Sequence, residues 1–287
     1  MSSTTSTALR DQVSRDYERA VTSPTGGVCC AGIGCCTPTA EAPIQKGVVA
    51  KMAGYTDEEL ASLPPEAVTN SFGCGNPLAL AQLHPGDVVL DLGSGAGIDI
   101  LLAARLVGPK GRAIGIDMTD AMIAKAHENI AASGLTNVEV RKGIIEEMPV
   151  ENDSVDWVIS NCVVNLSPEK HRVFAEIARV LKPGGRVRIS DIVVESLPDW
   201  VRGDRVLYSA CISGAISEEA YLEGLRDAGL VDVEVTERLM YDEAQLGELI
   251  HSELPASRTD ADNINAASLA REMVGKVWSA KFAARKP

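Results

Sequence analysis

Aromatic side chains are scarce in this 287-residue chain, with three Phe, three Trp and five Tyr, or 4% of the total. So few rings exclude a protein built on broad stacking platforms. Positive charge is also in deficit: 27 Lys and Arg face 40 Asp and Glu, a formal charge of −13. Phosphate backbones require concentrated Lys and Arg, so nucleic acid is excluded as a partner. No apolar run approaches the roughly 18–20 residues of a membrane span. The first residues, Met1 to Thr7, are rich in Ser and Thr and lack the apolar core of a secretory signal. The expected location is the cytoplasm, with no membrane partner. There thiols stay reduced, and grouped cysteines serve metal binding or catalysis more often than structure. An odd count of seven cysteines also fits poorly with a fully paired scaffold.

What is present organises the chain. Leu9, Val13, Tyr17 and Val21 stand four apart and predict a helix over 8–22. Gly26 and Gly27 end it, and 23–47 reads as a loop that contains Cys29, Cys30, Cys35 and Cys36. Thr56 and Glu59 form a capping-box pattern for a helix at 56–62. From Pro85 strands and helices alternate. Strands are predicted at 87–92, 113–117, 137–142, 155–160, 186–194 and 231–237. Helices are predicted at 98–107, from Thr119 to about Ser133, from Pro168 to about Leu181, over 198–210, and from Ser217 to 228. A last helix is expected over 264–283, with Arg271, Lys276, Lys281, Arg285 and Lys286 on its solvated face. Such alternation predicts an α/β fold with a doubly wound, mostly parallel sheet and additions at both ends. Three regions follow: an N-terminal helix with a cysteine-rich loop (1–70), the α/β domain (71–237) and a C-terminal helical region (238–287).

Between the first strand and its helix lies Gly93-Ser94-Gly95-Ala96-Gly97. Glycines there let a ligand approach the backbone without meeting Cβ atoms. Asp117 ends the second strand, 20 residues beyond Gly97, where an acid can accept both hydroxyls of a ribose. The stretch Val88 to Gly97 closely resembles the first motif of the class I S-adenosylmethionine-dependent methyltransferases, a Rossmann-like fold. Gly115-Ile116-Asp117-Met118 and Leu181-Lys182-Pro183-Gly184-Gly185 match further stations. The resemblance covers about 85–195 and implies S-adenosylmethionine as cofactor. Its methionine part is expected on Asp91, Gly93, Ser94, Gly95 and Gly97, and its ribose on Asp117. Met118 is expected to pack on adenine, Ile145 and Glu146 to line the far side, and Asn161 to complete the contacts. Asp156 is expected to be structural.

Three cysteines stand in distinctive settings: Phe72-Gly73-Cys74-Gly75-Asn76-Pro77, Ser160-Asn161-Cys162-Val163-Val164-Asn165, and Tyr208-Ser209-Ala210-Cys211. Cys162 follows the fourth strand, at the sheet end where open α/β folds bind ligands. Together with Gly54-Tyr55-Thr56-Asp57-Glu58-Glu59-Leu60, these segments resemble the arsenite methyltransferase family over about 47–237. The resemblance implies that Cys74, Cys162 and Cys211 hold trivalent arsenic, a soft ion that prefers thiolate sulfur. Arsenite or its thiol conjugates are the implied substrates. The arsenic lone pair would accept the methyl group directly. No general base is needed, so His171 and Asp191 are expected in structural or supporting roles. The resemblance also implies a disulfide, with Cys74 and an N-terminal cysteine the favoured pair, re-reduced by a thioredoxin- or glutathione-type thiol. Two alternatives remain: a small-molecule C- or O-methyltransferase of the quinone or sterol type, and a thiol-based metal-binding protein on a relict fold.

Overall fold

The computed structural model describes residues 3–22, 53–71, 73, 75–79, 81–202, 204–209, 211–247 and 266–287. The cysteine-rich loop with Cys29, Cys30, Cys35 and Cys36 lies outside these residues, as does Cys74. Seven strands form one sheet: β1 (Val88–Leu92), β2 (Arg112–Asp117), β3 (Val138–Lys142), β4 (Val155–Asn161), β5 (Leu181–Val194), β6 (Val231–Met240) and β7 (Val277–Arg285). Their order is β3-β2-β1-β4-β5-β7-β6. All neighbours from β3 to β5 are parallel, and β7 runs antiparallel to both β5 and β6. This is the doubly wound, mostly parallel sheet expected.

Local chemistry explains the framework. Thr56 caps helix Asp57–Ala61 with the full capping box to Glu59. Ser217 caps helix Glu218–Asp227 through its side chain. At the foot of the sheet Asp156 accepts from Val88 N–H and from Lys182 Nζ, so it ties β4 to β1 and to the start of β5. That is the structural role expected of it. No helix among the described residues is long and apolar enough to cross a membrane.

One expectation fails. The last helix ends at Met273 instead of continuing to 283, and the region expected to be helical contains strand β7. Ala280, Lys281, Ala283 and Ala284 are good helix formers in isolation. Gly275, at φ +76°, breaks the helix, and the following residues enter the sheet between two strands. Both faces of β7 are then covered, so the alternation that marks a half-exposed strand is missing. Phe282 is fully buried and stacks on Tyr221 at 4.1 Å, which anchors the strand to the core. Three of the five basic side chains lie in or just after β7 and have acidic partners rather than a place on a helix face. Lys281 bonds Glu237, Arg285 bonds Asp232 and Lys286 bonds Asp153. The 198–210 stretch is likewise divided, into helices Asp199–Arg202 and Arg205–Ser209.

Strand order reverses between β1 and β4, which opens a crevice beyond their carboxyl ends. Leu92 pairs with Ser160 across these strands. The next residues therefore emerge side by side: the glycine loop from β1, and Asn161 with Cys162 from β4.

Candidate active site

A cleft of about 950 Å3, including the solvent at its mouth, fills this crevice. The glycine loop forms its floor. Ser94 N–H donates to Ile116 O (2.9 Å) and Gly95 N–H to Asp117 Oδ2 (3.0 Å). Thr119 N–H takes the other Asp117 oxygen at 2.8 Å. Asp117 thus shapes the loop as well as lining the cleft. Burial pushes its carboxyl up, and these backbone donors pull it back. Gly93 brings the two walls together, because a Cβ there would lie 2.3 Å from Val163 Cγ2. Its φ of +64° is also costly for any other residue. Gly93→Ala is expected to destabilise the fold by about 1–3 kcal/mol. It should also weaken binding of the expected cofactor; melting curves and titration calorimetry check both.

Asp91, Asp99 and Asp117 bring three carboxylates to the same cleft. Asp91 is 2% exposed and has no hydrogen-bond partner among the described residues. Burial pushes its carboxyl well up, and Asp99 and Asp117 add to the rise. Asp99 is pushed up to about 6, chiefly by burial, although Tyr55 and Asn161 hydrogen bonds oppose it. Arg10, the single cation among the described lining residues, is already committed to Glu146 and Glu169. Sequence reasoning missed Asp99, whose acidity at a helix start reads as ordinary dipole compensation.

Met118, Ile145, Glu146 and Asn161 also line the cleft. Gly97 does not line the cleft; it precedes helix Ile98–Val107 at φ +98°. Glu146 is buried, and its Oε1 accepts from Ser167 Oγ (2.6 Å) and Arg10 Nε (3.0 Å). The N-terminal helix Ser3–Thr22 roofs the site, with Arg10, Val13 and Tyr17 facing the cleft. Its apolar stripe was legible, but its target was not. The helix spans both walls: Ser14 Oγ meets Thr119 Oγ1 at 3.3 Å, and Asp16 accepts from Ser209 Oγ at 2.7 Å.

Cys162 lines the cleft, and Cys211 lies directly behind it. Cys211 Sγ donates to Cys162 O at 2.7 Å, and each residue is 4% exposed. Both share one apolar cluster with Val13, Leu166 and Leu207. Cys162 is disulfide-bonded, and Cys211 is not. The third expected ligand, Cys74, also lies outside them, although its neighbours Gly73 and Gly75 are described.

The backbone marks the two described cysteines in the same way. Each sits at φ +60°, in the left-handed region that non-glycine residues seldom occupy. For Cys211 the reason is visible. Ile212 N–H donates to Leu207 O and Cys211 N–H to Tyr208 O, the paired bonds that close a helix with a left-handed residue. That residue is usually glycine, so a cysteine there carries a cost in backbone strain. His171 is exposed on helix Lys170–Val180. Asp191 is fully buried and accepts from Asn165, Ile192 N–H and Tyr221 Oη, with its carboxyl pushed up to about 7 by burial. No histidine is among the described residues lining the cleft.

This geometry agrees with comparison to known proteins. The family model described as a methyltransferase domain matches residues 83–229. An arsenite methyltransferase of Halobacterium salinarum is 44% identical over 235 residues, 79% of this chain and 58% of that protein. One from Homo sapiens is 37% identical over 169 residues, 55% of this chain and 44% of that protein. The chain thus spans about half the length of these curated relatives. A solved structure of an arsenic(III) S-adenosylmethionine methyltransferase from Chlamydomonas reinhardtii superposes with a TM-score of 0.58 at 34% identity, covering 83% of this chain and 72% of that one. With the glycine loop, the sheet order and the paired left-handed cysteines all in place, the chain belongs to the arsenite methyltransferase family of methyltransferase-domain proteins.

Proposed function

We propose that this protein transfers methyl groups from S-adenosylmethionine to trivalent arsenic held on its cysteines. The carrying observation is that Cys162, on the wall of the cofactor cleft, has Cys211 packed directly behind it, both in left-handed backbone. A quinone or sterol methyltransferase needs neither thiol, and it gains nothing from the strain they impose.

The cleft suits the cofactor on chemical grounds. S-adenosylmethionine is cationic at its sulfonium and ammonium, and Asp91 and Asp99 offer buried carboxylates with no cation beside them. Ser94 Oγ is buried without a partner among the described residues and can bond the same ligand. When bound, the cofactor supplies an electrophilic methyl group. Asp91, Asp99 and the glycine loop hold its methionine end, while Met118, Ile145 and Glu146 flank the base.

Cys162, Cys211 and Cys74 supply sulfur to arsenic, whose lone pair on the open side is directed toward the methyl group. No proton leaves the nucleophile, which suits a cleft with no histidine among its described lining residues. The apolar cluster around both thiols excludes water, and catalysis rests on positioning. Each methyl cation raises arsenic formally from the trivalent to the pentavalent state. Two cysteine thiolates return two electrons and become a disulfide, which restores trivalent arsenic. A thioredoxin- or glutathione-type thiol then reduces the disulfide. A reducing compartment such as the cytoplasm suits this chemistry, and neither nucleic acid nor membrane takes part.

The test is an arsenite-dependent methyl-transfer assay with products speciated over time. Cys162→Ser is expected to abolish transfer while calorimetry still detects cofactor binding. Methylation of a quinone acceptor with arsenite ignored would favour the organic-substrate reading.

A further inference from the structure

Asn161 immediately precedes Cys162 and lines the cleft, and its side chain also reaches Gly75. Its Oδ1 accepts from Gly75 N–H at 3.2 Å, and its Nδ2 donates to Gly75 O. A single amide thus grips both polar groups of one residue, much as a neighbouring strand would. The second amide hydrogen faces Tyr55 Oη (3.0 Å) and Asp99 Oδ2 (3.2 Å). Tyr55 Oη donates its own proton to Asp99 Oδ1 at 2.7 Å. Its oxygen can therefore only accept from Asn161, which fixes the amide with its Nδ2 toward Tyr55.

The two glycines flanking Cys74 have no spare room. A Cβ on Gly73 would lie 2.2 Å from Asn161 Nδ2, and one on Gly75 would lie 1.8 Å from Ser190 Oγ. Asn161 precedes Cys162, and Ser190 O accepts Cys162 N–H at 2.8 Å. Both flanks of Cys74 are therefore pressed onto the strand ends from which Cys162 emerges.

We infer that Asn161 is a positioning residue for the third thiol. It clasps Gly75, with Gly73 packed against it, beside Cys162, and Tyr55 and Asp99 aim it. Asp99 also lines the cofactor cleft, so one buried carboxylate orients both the donor pocket and the thiol-bearing segment. This inference rests on the arsenite reading for its purpose, although the clasp itself can be tested without arsenic.

The first arm uses full-length protein with Cys29, Cys30, Cys35, Cys36 and Cys211 all changed to Ser, leaving Cys74 and Cys162. Dibromobimane, which fluoresces when it bridges two nearby thiols, is added after reduction. Asn161→Ala is expected to slow bridging at least about tenfold, and Tyr55→Phe to slow it less, since one hydroxyl is lost from a retained ring. Bridging at the parent rate in both variants overturns the clasp. A melting curve for each variant separates loss of the clasp from loss of the fold. The second arm uses arsenic X-ray absorption on reduced, otherwise unaltered protein. Three sulfur neighbours are expected in the parent, and two with one oxygen in Asn161→Ala. Three sulfurs in the variant would also overturn the clasp. A parent chain that binds no arsenite would instead overturn the functional reading, while the bridging rates still decide the clasp.

Discussion

Replacing Cys211 by glycine is expected to leave the fold nearly as stable as the parent while removing at least about 100-fold of the arsenite methylation rate. Cys211 occupies the left-handed closing position of helix Arg205–Ser209, at φ +60°. Relief of that strain returns roughly 1–2 kcal/mol. Loss of the buried thiol costs a similar amount, on the order of 1 kcal/mol for so small an apolar group. Cys211→Ala loses the thiol and keeps the strain, so it should melt below the glycine variant. That order reverses the usual one, in which alanine is the safer replacement. Melting curves and the methyl-transfer assay on both variants provide the check. Methylation at the parent rate in either one would remove Cys211 from the mechanism.

Asp91→Asn should move stability and cofactor affinity in opposite directions. In the ligand-free protein a buried carboxylate faces the cleft without a partner, beside two more of its kind. An isosteric amide removes that burden. The ligand-free protein should gain roughly 1 kcal/mol, or about 2–4 °C in Tm. The same change removes a charge-assisted contact worth about 1.5–3 kcal/mol, so affinity for S-adenosylmethionine should fall about 10- to 100-fold.

The pH dependence follows with a definite sign. These carboxyls titrate above the unfolded-state range, so the native state favours their protonated forms. Ligand-free stability from this source rises as pH falls through their raised range. Cofactor affinity falls over the same interval, with Asp99 titrating at about 6. Scanning calorimetry with and without cofactor at several pH values reads both trends. An Asp91→Asn protein that melts lower and binds as tightly as the parent would show that the carboxylate has a structural partner.

Much of the fold was legible because strand and helix signals are local. The glycine turn after β1, the capping box at Thr56 and the alternation from Pro85 each depend on residues within a few positions of one another. The C-terminal strand was not legible in this way. Ala280 to Ala284 resemble a helix until the chain is known to lie between β5 and β6, where burial on both faces erases the alternating pattern. The N-terminal helix shows the same division. Its apolar stripe is local, but nothing in residues 3–22 says that it covers the cofactor cleft.

By itself the sequence determined which residue types the site contains: the glycine loop, Asp117, and cysteines in settings that match a family. Only the tertiary structure brought Cys211 behind Cys162, since 49 residues separate them and no local pattern links the two. It also decided that both occupy left-handed backbone, and that Tyr55, Asp99 and Asn161 form one hydrogen-bonded group around Gly75. The physical reason is common to all three. Backbone strain and buried polar pairing are enforced by the packing of distant segments, and a chain acquires them only once its sheet has closed around them.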